Sequence, residues 1–131
     1  MNGAVVHAYS KAQDGGVFLT AHFRVREFAC KDGSDTIFIS SALAQVLQQI
    51  RAHFGKAVVI NSAYRTEAHN RAVGGSPHSQ HLYGLAADIA VQGVPAAEVA
   101  DYAETLLPGT GGIGRYPNFT HVDVRKVKAR W

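Results

Sequence analysis

Cysteine is nearly absent from this chain: Cys30 stands alone among 131 residues, so no intramolecular disulfide forms and a cysteine-rich structural metal site is excluded. Long apolar runs are absent too. Nothing approaches the ~20 residues needed to span a bilayer, which removes transmembrane-helix functions and predicts a soluble domain. Met1 to Ser10 has neither the basic start nor the continuous apolar stretch of a secretory leader, so extracytoplasmic action is expected to need another route or a removed leader. The formal charge is only +3, with no basic stripe interleaved with aromatics, so nucleic acid is not an expected partner. The one basic concentration, Arg125 to Trp131, reads as an attractor for an anionic polymer or, equally, as a solvated terminus. Internal repeats and low-complexity stretches are missing as well. What remains is one expected domain, residues 1–131, large enough to bury a core without disulfides and expected to be a monomer.

Periodicity supplies the elements. Between Ser40 and Phe54, apolar Leu43, Val46, Leu47, Ile50 and Phe54 follow the spacing of a helix with one buried stripe, with Ser40 or Ser41 as cap and Gly55 as terminator. A strand is expected at Ala57 to Asn61, then a short helix from Thr66 to Val73 ended by Gly74-Gly75. Ala86 to Val91 reads as a strand with Asp88 on the face of Ala86 and Ala90. Pro95 opens a helix carrying Val99, Tyr102, Ala103 and Leu106 up to Pro108-Gly109. Gly111 to Tyr116 and Phe119 to Arg125 read as a hairpin turned at Pro117-Asn118. In its second strand, Thr120, Val122 and Val124 face one way while Phe119, His121, Asp123 and Arg125 face the other. Met1 to Ile39 suggests a strand, turns and a docking segment around Phe23 to Phe28, with no function assigned.

The chemistry candidates sit on the polar faces. His81 and Asp88 are separated by six residues that include Gly84, and His121 follows far downstream. Two neutral imidazoles and a carboxylate leave a tetrahedral zinc ion with an open position, the arrangement of a catalytic site. A histidine and an aspartate at this spacing also occur without metal, the aspartate capping a turn. The company raises the metal reading: His121-Val122-Asp123 on a strand with an apolar opposite face, and Tyr64-Arg65 at the end of the Val58-Val59-Ile60 strand.

Asn61-Ser62-Ala63-Tyr64-Arg65, then Gly74-Gly75, then Ser79-x-His81-x-x-Gly84-x-Ala86-x-Asp88, then His121-Val122-Asp123, in that order, resemble the zinc D-alanyl-D-alanine carboxypeptidase and L,D-endopeptidase superfamily of peptidoglycan peptidases. The resemblance covers residues 23–125 and is nearest to short single-domain members from bacteria, prophages and phage lysis or tail modules. It implies one zinc ion on His81, Asp88 and His121, with Arg65 holding substrate and stabilising the oxyanion. It also implies a small α+β fold, an antiparallel sheet with helices packed on one side and the metal at the mouth of the central sheet. The implied partner is a peptidoglycan peptide. Such a chain is expected to fold in the cytoplasm and reach the wall after release or delivery, by a phage lysis or tail route.

The chain departs from the pattern at the general base. Relatives carry Glu or Asp three residues before the last zinc histidine, or a histidine two before it, but here those positions are Asn118 and Phe119, and neither side chain accepts a proton. Asp123 is the preferred substitute, taking the water proton or orienting a ligand imidazole, with Glu67 as a weaker alternative that also suits a helix N-terminus. Ser79 and Tyr64 are candidate substrate-side contacts, and His78 lies just before the motif. His7, His22, His53 and His69 are read as structural or solvated. The departure leaves room for a catalytically impaired zinc-containing wall-binding module, or for a phage structural component.

Overall fold

The computed structural model describes residues 5–131. Sequence readings that fall on residues 1–4, part of the leader and N-terminal strand arguments, lie outside the described residues. The chain is α+β. β1 (Val6–Ser10) and β2 (Thr36–Ser40) form an antiparallel pair, with the four-residue α1 (Lys11–Asp14) and a 3₁₀ turn at Val25–Phe28 between them. Phe23, Val25 and Phe28 are buried, the two rings edge-to-face at 6.3 Å, as the expected docking segment requires. The Phe28 carbonyl accepts a hydrogen bond from Tyr64 N at 3.2 Å, tying this segment to the strand end that carries Arg65.

α2 (Ser41–Phe54) buries Leu43, Val46, Leu47 and Ile50 of its predicted stripe, with Phe54 half-buried at its end. Ser40 Oγ accepts from Leu43 N, and Gly55, at φ 63°, closes the helix in the left-handed region where a Cβ is disfavoured. β3 (Val58–Ser62), α3 (Glu67–Ala72), a 3₁₀ turn at Gln80–Tyr83, β4 (Ala86–Val91) and α4 (Ala96–Leu106) follow. β5 (Gly112–Arg115), β6 (Thr120–Asp123) and β7 (Ala129–Arg130) complete the chain.

The second sheet has the order β3-β4-β6-β5-β7. Its first four strands are antiparallel as expected, but β7 joins β5 in parallel and makes the sheet mixed. The basic tail is therefore anchored at its end, while Lys126, Val127 and Lys128 between the anchors stay exposed. Arg130 Nε meets Glu104 Oε1 at 2.9 Å, Nη1 donates to Gly111 O at 2.7 Å, and Nη2 reaches Leu107 O just past the end of α4. A cation among carbonyls at a helix C-terminus is favourable, and a two-residue strand carries no periodicity to announce itself.

Register assigns the faces. Residues opposite one another in a sheet project to the same side, and Ala87 pairs with Val122, Ile89 with Thr120 and with Ile60. That side is buried and apolar, and Thr120 Oγ1 donates to Ala96 O at the start of α4. On the other side Asp88 pairs with His121, Ala86 with Asp123, Gly114 with His121 and Gly112 with Asp123. A register shift between Ile60 and Ser62 breaks the alternation of β3. Ile60 faces the core, yet Ser62 pairs with Asp88 on the open side, which is how a bulge re-aims a side chain.

Candidate metal centre

His81 is held by the turn that contains it. Ser79 Oγ accepts from His81 N at 3.2 Å, and Gly84, at φ 73°, ends the turn and passes the chain to β4. A Cβ on Gly84 would run into the Phe38 backbone, so glycine is needed for space as well as for conformation. His81 Nδ1 lies 2.7 Å from Ala63 O. A carbonyl only accepts, so Nδ1 carries the hydrogen and Nε2 presents its lone pair 3.3 Å from Asp88 Oδ1.

His121 is oriented from the other end. Its Nε2 is 2.8 Å from Asp123 Oδ2 and its Nδ1 is 2.9 Å from Asp88 Oδ1. Asp123 is wholly buried, and its oxygens also accept from Gly112 N, Arg125 N, Arg125 Nε and Arg125 Nη2 at 2.7 to 3.1 Å. A side chain on Gly112 would occupy the place of this carboxylate. Burial works against the charge on Asp123, but hydrogen bonds from His121 and Arg125 outweigh it and hold the carboxyl well below the usual range. For Asp88 too, burial works against the charge, but the neighbouring His121 and His81 rings outweigh it and hold the carboxyl well below the usual range. Burial also opposes charging of His121, yet its bonds to Asp123 and Asp88 raise its pKa.

The His81, Asp88 and His121 donor atoms all lie within 4.8 Å of one another, and these side chains are buried. A tetrahedral ion bound at about 2.0–2.1 Å needs its donors a little over 3 Å apart, and the gaps to Asp88 Oδ1 are close to that. Each imidazole has its second nitrogen fixed by an acceptor, Ala63 O or Asp123, the arrangement that sets tautomer and ring angle in a metal site. The donor set therefore fits a divalent ion.

Arg65 stands beside the trio, its Nη2 3.5 Å from Asp88 Oδ2. Nε donates to Ser62 Oγ at 3.0 Å and Nη1 to Asn70 Oδ1 at 3.2 Å, so the bulge in β3 and the buried Asn70 aim the guanidinium. Asn70 also donates to Ser76 O at 2.8 Å and fixes the loop after Gly74-Gly75. A cleft of about 470 Å³ opens over the trio. Arg65, His78, Ser79, Tyr116, Phe119, Arg125 and Trp131 help to line it.

Of the other sequence candidates, Ser79 is in the cleft with its oxygen engaged by His81 N. Tyr64 and Glu67 line a neighbouring lobe of about 450 Å³ that shares Arg65 and His78 with the metal-side cleft. Phe119 stacks on Tyr116 at 4.4 Å.

Several contributors escaped the sequence reading: Ser62, Asn70, Arg125 as the clamp on Asp123, and Trp131, whose indole lies 4.9 Å from the His121 ring. The available signal was the Gly112-x-Gly114-x-Tyr116 alternation on β5, glycine recurring on one face where other groups must lie against the backbone.

A Haemophilus influenzae protein named "Probable peptidoglycan L,D-endopeptidase MepK" is 42% identical over 57 residues, which are 42% of this chain and 30% of that relative. The match thus spans about a third of the relative's length. The Peptidase M15 family model matches residues 18–123, a stretch that contains β2 to β6, Arg65 and all three convergent side chains, His81, Asp88 and His121. By that match, and with the donor set in place, the chain belongs to the Peptidase M15 family.

Proposed function

We propose that this protein is a zinc-dependent peptidase that hydrolyses an amide bond in peptidoglycan peptides. The observation that carries the reading is the convergence of His81, Asp88 and His121 on the floor of a cleft, with the Arg65 guanidinium beside them. When bound, a zinc ion supplies Lewis acidity and lowers the pKa of a water molecule to about 7. The chain's own residues do the rest. Arg65, permanently charged and braced by Ser62 and Asn70, is placed to pair with the carbonyl oxygen that gains charge as water adds, or with a substrate carboxylate.

Asp123 acts in this scheme by position. Its oxygens are engaged by His121, Gly112 and Arg125, and it is absent from the cleft lining, which supports the orienting role over direct proton transfer. Among the described residues His78 is the one imidazole or carboxylate side chain lining the metal-side cleft outside the candidate ligand trio, so proton transfer is assigned to it first. Its replacement by Gln is expected to lower kcat while metal is retained.

The lobe lined by Tyr64, Glu67, Pro77, Leu82 and Tyr83 continues past Arg65 and His78, giving room for substrate on both sides of the scissile bond. That supports cleavage of an internal bond, as the name of the Haemophilus relative also does, over removal of a terminal residue. The test is digestion of purified wall with mass spectrometry of the released ends, alongside metal analysis. New internal termini and about one zinc per chain are expected. Zinc without released peptide would instead favour the wall-binding module, for which the missing carboxylate at Asn118 is the motive.

A further inference from the structure

One wall of the cleft has a construction that the peptidase reading does not use. On the site face of β5 lie Gly112 and Gly114, opposite Asp123 and His121, and Tyr116 follows directly after the strand. A Cβ on Gly114 would come within 2.6 Å of the Trp131 indole, so the glycine is the seat on which that ring lies, between the strand and the cleft. The indole is fixed at the backbone as well: Trp131 N donates to Ile113 O at 3.1 Å, and Arg115 N to Trp131 O at 2.8 Å. The Arg125 guanidinium covers it at 5.4 Å.

From this seat Trp131 Nε1 reaches Tyr116 Oη at 2.7 Å. An indole N–H only donates, so the phenol oxygen is the acceptor and its own hydrogen must point elsewhere. Among the described residues no protein acceptor takes that hydrogen, and Tyr116 lines the cleft, stacked on Phe119. The sheet order sets its place. Arg65 follows β3 and Tyr116 follows β5, on the two flanks of the β4–β6 pair that carries Asp88 and His121.

We propose that Tyr116 is a catalytic residue, its hydroxyl donating a hydrogen bond to the carbonyl oxygen of the scissile amide, and that Trp131 is the positioning residue that turns the hydroxyl toward it. The inference rests on the peptidase reading above. As water adds to the amide carbon, the C=O π electrons move onto oxygen. Tyr116 then faces growing negative charge from one flank while Arg65 faces it from the other. The hydroxyl keeps its proton throughout. A fixed neutral donor of this kind favours the transition state over the planar substrate because the charge it meets exists mainly there.

Tyr116→Phe keeps the ring stack and removes only the donor. The expected result is a fall in kcat of about 100-fold with KM within about threefold and zinc content unchanged. Calorimetry with a phosphinate analogue, whose tetrahedral oxygens mimic the charged centre, is expected to show a similar loss of affinity. Trp131→Phe keeps a ring beside His121 and is expected to lower kcat about 10-fold, with little further loss when added to Tyr116→Phe, because the two act through one hydrogen bond.

Trp131 is the only tryptophan in the chain, so metal-free fluorescence reports the same contact directly. Its emission is expected to shift in Tyr116→Phe, and an unchanged spectrum would overturn the positioning role. Unchanged kcat and analogue affinity in Tyr116→Phe, with a parent that releases wall peptides, would overturn the Tyr116 assignment alone. A parent that holds zinc but releases none would overturn the peptidase reading and this inference with it.

Discussion

Ala87, Ile89 and Val122 on one face of the β4–β6 pair, and Asp88, His121 and Asp123 on the other, are all buried, yet burial does opposite things to the two sets. On the helix face it removes apolar surface from water, and each side chain gains from close contact alone. On the site face it takes water from charged groups. That cost is met by partners for the polar atoms: Ala63 O for His81, the Arg125 fork for Asp123, His121 and Arg65 for Asp88. No buried side-chain nitrogen or oxygen lacks a hydrogen bond among the described residues. One pair of strands thus carries a plastic face and an exacting one.

The largest effect that would break this comparison belongs to the exacting face. His81→Ala is expected to lose bound zinc and at least about 10³ in hydrolysis, because the ion's several kcal/mol of charge stabilisation go with it. Metal analysis and wall digestion check this, and a variant that kept both would remove His81 from the ligand set. On the helix face, Ile89→Ala is expected to cost about 2–5 kcal/mol of stability in urea unfolding, with zinc stoichiometry unchanged in the folded protein.

Asp123→Asn sharpens the contrast at nearly constant volume. A 10–100-fold loss of zinc affinity, of the order typical for a group behind a ligand histidine, is expected in competition titration. An unaltered affinity would mean that His121 needs no orienting. The smallest effect is acid sensitivity of the metal-free protein. Asp88 and Asp123 have folded pKa values lowered below their unfolded values, so their contribution is present above about pH 4 and drains away as pH falls below it. Urea midpoints read against pH should decline on the acid side, less steeply in Asp123→Asn.

Legibility in the sequence divides along the same line. The α2 stripe, the β4 and β6 alternations and the placement of Asp88, His121 and Asp123 on one side follow from period and residue type, because a strand's side chains have no third direction to take. The basic tail resisted such reading, since β7 has two residues and its pairing with β5 depends on Arg130 finding Glu104 and the carbonyls past α4. Ser62 resisted as well. Plain alternation puts it on the core face with Ile60, and only pairing with β4 reveals the shift that brings it to Arg65.

Which side chains could hold a metal was written in the order of His81, Asp88 and His121, since only certain side chains carry suitable lone pairs and their spacing survives any folding. Which nitrogen of each imidazole is turned toward the other candidate ligands, what surrounds Asp123, and what Trp131 covers were decided by the sheet. Those are questions of direction and of available lone pairs. Each answer depends on a partner distant in sequence, from Ala63 beneath His81 to Trp131 above Gly114, that only packing brings within hydrogen-bonding or contact distance.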